Sequence, residues 1–236
     1  MTTTLITGAN KGLGYETARR LVAAGHTVWI GSRDAARGSR AADELGARAL
    51  LLDVTDDASV AAAVKSVEAE GGLDVLVNNA GVQHEMADGR VVIGAAELTA
   101  DVLRATFETN VFGLVRVTRA FLPLLRRSPA PVVVNVSSGL ASLTRVTTPG
   151  DPAHGYPGVA YPASKTAVNM LTVQYAKAFP FLRVNAVEPG FTATDLNHHS
   201  GVQTVEQGAE IIVRMATIGP DGPTGGYVDA EGPLPW

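Results

Sequence analysis

Short apolar, β-branched runs alternate with longer stretches of helical spacing along the whole chain. Thr3–Thr7 is the first such run and reads as a strand; it enters a glycine turn, after which Tyr15–Ala24 carries helical periodicity that Gly25 stops. His26–Gly31 predicts a second strand and Asp34–Leu45 a second helix. Ala47–Leu52 predicts the third strand, closing at Asp53, and Asp56 or Thr55 offers a cap for a helix running to Glu70. Leu73–Val77 follows as the fourth strand.

Residues 82–96 show no period. A long helical pattern then spans 100–125, with a bend expected at Pro123, because proline removes a helical hydrogen bond. Pro131–Ser137 is nearly continuous apolar sequence, as a strand buried on both faces requires. Leu140–Gly158 reads as a loop, 160–179 as a helix, and Leu182–Val187 as the sixth strand. A polar loop to Thr204, a helix over Val205–Thr217 and a short strand at Gly226–Val228 complete the chain. Strand and helix alternate throughout, which predicts an α/β fold: one domain over residues 1–236, a Rossmann-type, doubly wound parallel sheet with helices on both faces.

Composition narrows the classes. Of 236 residues 46% are apolar and 18% charged, which is globular, and a net charge of −4 argues against a nucleic-acid surface. There is no cysteine, so disulfides and thiolate chemistry are excluded. The N-terminal residues lack the basic and apolar regions of a signal peptide, and no apolar run reaches the ~18 residues of a membrane span. A cytoplasmic protein without membrane partners is expected. His198-His199 has no partner cluster, so no metal site is expected.

The chemistry concentrates at strand ends and on one helix. Tyr161 and Lys165 are four apart, hence on one helical face. Acid–base work near pH ~7 asks a phenol to shift by roughly 3 units, about 4 kcal/mol. A neighbouring ammonium at ~4 Å supplies that only at an effective dielectric of ~20, inside a partly closed site. Thr7-Gly8-Ala9-Asn10-Lys11-Gly12-Leu13-Gly14 has the strand–turn–helix layout that brings backbone close to a pyrophosphate. After the second strand come Ser32 and Arg33, where an arginine suits a ribose 2′-phosphate; Lys11 is a second cation within reach, while Asp34 pulls toward the unphosphorylated ribose. NADP(H) is therefore expected over NAD(H). Asp53-Val54 and Asn79-Ala80-Gly81 end strands on the same edge, where Asp53 either accepts from an adenine amino group or caps a helix. Asn110 interrupts a helix with a poor helix former, and Ser137-Ser138 ends the fifth strand.

Together these pieces, in order, resemble the short-chain dehydrogenase/reductase family over essentially the full chain: the glycine turn, Asn78-Asn79-Ala80-Gly81, Asn110, Ser138, Tyr161-x-x-x-Lys165 and Pro189-Gly190. Asn10-Lys11-Gly12, Ser32-Arg33-Asp34 and Trp236 look most like its carbonyl-reductase branch. The resemblance implies reversible hydride transfer between NADP(H) and a ketone, aldehyde or secondary alcohol. Tyr161 would be the general acid, Ser138 would hold the substrate oxygen, and Lys165 would hold the ribose and depress the phenol's pKa. Asn110 would position a water leading from Lys165. Pro189, Gly190 and Thr194 would contact the nicotinamide end, with Thr192 beside them. Tyr156 lacks a lysine one turn on, because position 160 is alanine. Glu188 replaces the asparagine often found before Pro-Gly, and the stretch 139–160 is long; on that stretch's account a homodimer is only narrowly expected over a monomer. Two other readings stand beside this one: a non-catalytic NADP-binding regulator, and a reductase of carrier-bound 3-oxoacyl thioesters.

Overall fold

The computed structural model describes residues 2–236. In chain order the elements are β1 (Thr3–Thr7), α1 (Gly12–Ala23), β2 (Thr27–Ser32), α2 (Ala35–Leu45), β3 (Arg48–Leu51), α3 (Asp57–Ala69) and β4 (Val75–Asn78). A small hairpin follows, β5 (Met86–Ala87) and β6 (Arg90–Val91), then α4 (Ala100–Phe107), α5 (Leu114–Leu125) and β7 (Val132–Val136). The last part holds α6 (Leu143–Thr147), α7 (Ala160–Ala178), β8 (Arg183–Val187), α8 (Val205–Ala216) and β9 (Tyr227–Val228). The main sheet has seven strands in the order β3-β2-β1-β4-β7-β8-β9, and every pairing in it is parallel. Its order reverses between β1 and β4, the switch point beside which such sheets bind ligands.

Period-two alternation sends neighbouring side chains to opposite faces, and both faces are apolar. Ile6, Val28, Ile30, Val75, Val77, Val132 and Val134 pack under α1, α2 and α8, against Leu21, Ala41, Ile211, Ile212 and Met215. Leu5, Trp29, Leu76, Val133 and Val184 point the other way, onto Val60 and Val67 of α3 and Val117, Phe121 and Leu124 of α5. Local polar residues set the helix starts: Asp34 accepts the Arg37 amide, Asp56 that of Ala58, and Thr204 with Gln207 forms a capping box. Of the two candidates before α3, then, Asp56 is the cap.

Three expectations are corrected. The 100–125 stretch is not one continuous α-helix: Glu108–Gly113 is a π-helical segment, and Pro123 sits inside α5. The extra residue in that turn lets Gly113 lie against Val54, where a Cβ would approach the Val54 side chain to 2.8 Å. The stretch 82–96 contains the β5–β6 hairpin, turned by Asp88 and Gly89 at positive φ. The stretch 139–160 holds α6 and two 3₁₀ turns, at Gly139–Ala141 and Pro152–Gly155. No helix among the described residues is long and apolar enough to cross a membrane.

Candidate active site

The carboxyl ends of β1, β4, β7 and β8 open onto one cleft of about 1580 Å³. Of the candidate catalytic and cofactor-binding residues from Gly8 to Thr194, all but Ser32 and Asn110 line it. At its nucleotide-binding end Gly8 and Gly12 take positive φ, and a Cβ on Gly14 would lie 2.6 Å from the Asn79 side chain and 2.8 Å from the Gly8 carbonyl. Asn79 ties the two strand ends together: its Nδ2 donates to the carbonyls of Thr7 (2.8 Å) and Gly8 (3.1 Å). The Thr7 hydroxyl accepts the amides of Asn79 and Ala80. The residue before α1, Lys11, supplies no side-chain cap, so the first amides of α1 face the cleft without a side-chain acceptor. A glycine cradle with an uncapped helix N-terminus fits a dinucleotide pyrophosphate.

Beside the cradle, Arg33 is exposed and lines the cleft, while Asp34 is drawn away from it. The Asp34 carboxylate accepts both the backbone amide (3.0 Å) and Nε (2.7 Å) of Arg37, which together hold its pKa below the usual range. Ser32 is buried and spends its hydroxyl on the backbone of Asp34. Burial raises the Asp53 carboxyl, but bonds from the Thr55 amide and hydroxyl and the charges of Arg33 and Arg116 outweigh it and leave it lowered. Lys11 pairs with Asp195 across the cleft, and Asp195 also meets His199 at 2.9 Å.

The other end holds Ser138, Tyr161 and Lys165. The serine pair divides by environment: Ser137 is buried and donates to Asn169 at 2.7 Å, whereas Ser138 lines the cleft with Tyr161 and its hydroxyl accepts the Leu140 amide at 3.2 Å. Lys165 lies one turn on, its Nζ 5.6 Å from the Tyr161 ring centroid and donating to the Val136 carbonyl at 2.8 Å. Burial lowers the Lys165 pKa to about 8. Burial also pushes the Tyr161 phenol above its ordinary range, and the neighbouring Ser138 side chain offsets this only in part. That direction is opposite to the depressed phenol expected from the sequence. The reason is desolvation: the protein encloses both groups, so each favours its neutral form.

Asn110 sits in the π-turn with its side chain fully engaged. Its Oδ1 accepts the Val82 amide (2.8 Å), and its Nδ2 donates to the Val82 carbonyl and the Ser164 hydroxyl (3.0 Å each). It thus braces the chain after Gly81 against α7. A polar cavity of about 10 Å³, roughly one water in size, lies between Asn110 and Lys165 and is also lined by Asn78 and Thr109.

Pro189, Gly190, Thr192 and Thr194 border the cleft beyond β8, and the Thr192 hydroxyl is held among the Pro189 and Gly190 carbonyls and Gln203. Glu188 accepts the amides of Gly139 and Gly190; burial raises its pKa, and Arg145 opposes that. Arg145 itself bonds Asp151 at 3.0 Å. Sequence reading missed this pairing, along with Gln83, whose Nε2 donates to the Tyr156 phenol at 2.6 Å. Neither partner is at motif spacing, so no local signal marks them. Tyr156 does face the cleft, its phenol pushed up to about 12 by burial. His84 is exposed.

An open α/β sheet with a dinucleotide cradle and a Ser–Tyr–Lys cluster at its switch point defines a nucleotide-dependent oxidoreductase class. The model of the short chain dehydrogenase family matches residues 2–204, and the chain belongs to that family. Among its relatives, (+)-neomenthol dehydrogenase of Arabidopsis thaliana is 33% identical, over 91% of this chain and 90% of that protein. The solved structure of salutaridine reductase from Papaver somniferum superposes with a TM-score of 0.82 at 28% identity, covering 96% of this chain and 99% of that one. A 3-ketoacyl-(acyl-carrier-protein) reductase from Brucella melitensis, solved with NADH, gives 0.83 at 27% identity, covering 97% and 96%.

A direct check on the site's electrostatics is an NMR titration of isotope-labelled lysines. The Lys165 ammonium is expected to titrate near 8, against an ordinary value of about 10.4. A midpoint at the ordinary value would mean that the lysine is solvated.

Proposed function

We propose that the protein is an NADPH-dependent reductase of ketones or aldehydes, able to run in reverse on secondary alcohols. The observation that carries this is that Ser138, Tyr161 and Lys165 line one end of the same cleft, with Lys165 one turn beyond Tyr161 on the same helix. A nicotinamide cofactor, when bound, supplies or accepts the hydride. Tyr161 gives its proton to the carbonyl oxygen in reduction, and a phenol raised by burial is fully protonated at neutral pH for that task. Ser138 donates a hydrogen bond to the same oxygen as negative charge develops there. Lys165 holds the ribose and, through the small cavity beside Asn110, lies on a path by which Tyr161 regains its proton.

The preference for the 2′-phosphorylated cofactor rests on Arg33, which lines the cleft and forms no ion pair among the described residues, while Asp34 is paired with Arg37. Lys11 enters only if it leaves Asp195; that pair is about half exposed on both sides and costs at most ~1 kcal/mol to open. The substrate wall is largely apolar, with Val82, Met86, Val91, Leu140, Phe191 and Val202 around the Tyr161 end, which suits a bulky, mostly apolar carbonyl compound. The reading as a regulator leaves the buried proton donor without a task. For a carrier-bound thioester a basic docking patch would be wanted, and the cleft's charges are mixed: Glu206, Asp229 and Glu231 beside Arg33 and Arg145.

Replacing Arg33 with alanine removes a charge-assisted bond of ~1.5–3 kcal/mol, so NADPH affinity should fall about ten- to a hundredfold while NADH affinity barely changes. Equal loss for both cofactors in a fluorescence titration would make Arg33 structural. The reaction itself is tested by a panel of carbonyl compounds with NADPH. On any compound turned over, Tyr161→Phe should lower kcat by about 10²–10⁴-fold with NADPH binding kept. Tyr156→Phe should leave the greater part of kcat. The reverse ranking of the two tyrosines would defeat the mechanism.

A further inference from the structure

Helix α7 carries Tyr161 in its first turn, yet nothing local caps it. Its N-cap residue is Val159, which has no side-chain acceptor, whereas α2, α3, α4 and α8 each use their own Asp or Thr. The missing acceptor comes from 74 residues upstream. The Glu85 side chain is wholly buried, at 0% exposure. Its Oε1 accepts the amides of Val159 and Ala160, the latter at 2.7 Å, and its Oε2 accepts the amide of Tyr161 itself at 2.7 Å. Three of the helix's first amides, which have no partner within the helix, thus end on one carboxylate. Its charge sits where the helix dipole is positive. Glu85 is also the root of the β5–β6 hairpin: its carbonyl accepts the Val92 amide at 2.8 Å, and Met86 and Val91 from the hairpin line the cleft.

We propose that Glu85 is a positioning residue: by clamping the backbone of Val159, Ala160 and Tyr161, it fixes where the Tyr161 phenol stands relative to Ser138 and couples the hairpin wall of the substrate site to the catalytic helix. The proposal rests on Tyr161 being the general acid. A carboxylate is needed because all three partners are donors. Glutamine in its place keeps one acceptor and turns an N–H₂ toward an amide; aspartate keeps both oxygens and the charge but is one methylene too short to reach all three.

The test compares Glu85→Gln, Glu85→Asp and Tyr161→Phe on a carbonyl compound that the wild type reduces. Activity is measured well below each unfolding midpoint and scaled to NADPH-binding sites counted by fluorescence titration. Displacing an acid by about 1 Å costs about 10²-fold, so each Glu85 variant should lose about ten- to a hundredfold in kcat. NADPH affinity and KM should stay within about threefold of wild type. A cap that served only stability would lower the unfolding midpoint and leave kcat per binding site unchanged. That result in either folded variant overturns the proposal, even where Tyr161→Phe is inactive as expected. Full activity of Tyr161→Phe would instead overturn the general-acid reading, and this proposal with it.

Discussion

A buried lysine bonded to the last residue of a central strand ties the catalytic helix to the sheet. Lys165 donates to the Val136 carbonyl at the end of β7, and this contact fixes the axial position of α7 against the switch point. Enclosing an ammonium is costly, which is why its pKa falls to about 8. The same enclosure raises the phenol one turn away. The phenol is therefore kept protonated, and the same dry surroundings strengthen any hydrogen bond it makes.

Beneath the site a buried polar network holds four elements in register. Asn78 on β4 donates to Thr118 of α5 and to Asn135 of β7, and Asn135 donates to Thr172 of α7. Asn110 adds a second tie, from the chain after β4 to Ser164 of α7. Asn78 Oδ1 alone in this network has no partner among the described residues, and Asn78 lines the small cavity beside Lys165; the paired groups favour one arrangement of β4, β7 and α7. The opposite side of the cleft is tied by a surface contact. Its loop after β8 is held to the glycine turn by the exposed Lys11–Asp195 pair, a contact weak enough to yield when a ligand enters.

What the sequence displayed, and what it hid, follow from the range of the interactions. Strand alternation, glycine turns and the Tyr161–Lys165 spacing are local, so the doubly wound sheet and the residues at its carboxyl edge were legible. The π-turn was not: the long-range contacts that go with it, Gly113 against Val54 and Asn110 bonded to Val82 and Ser164, are not encoded in a helical periodicity. Glu85 lay in a stretch without period, and its partners are more than seventy residues away. The sign of the Tyr161 shift was misjudged because neighbouring charge can be read from spacing whereas depth of burial cannot.

In the proposed mechanism a buried, protonated Lys165 supports proton donation by Tyr161. The pH dependence of kcat/KM for NADPH-dependent carbonyl reduction tests it most directly. The profile should be flat through neutral pH and fall above about 8, by about tenfold per pH unit, as Lys165 loses its proton. A profile that stays level until the ordinary lysine range near pH ~10 would contradict it.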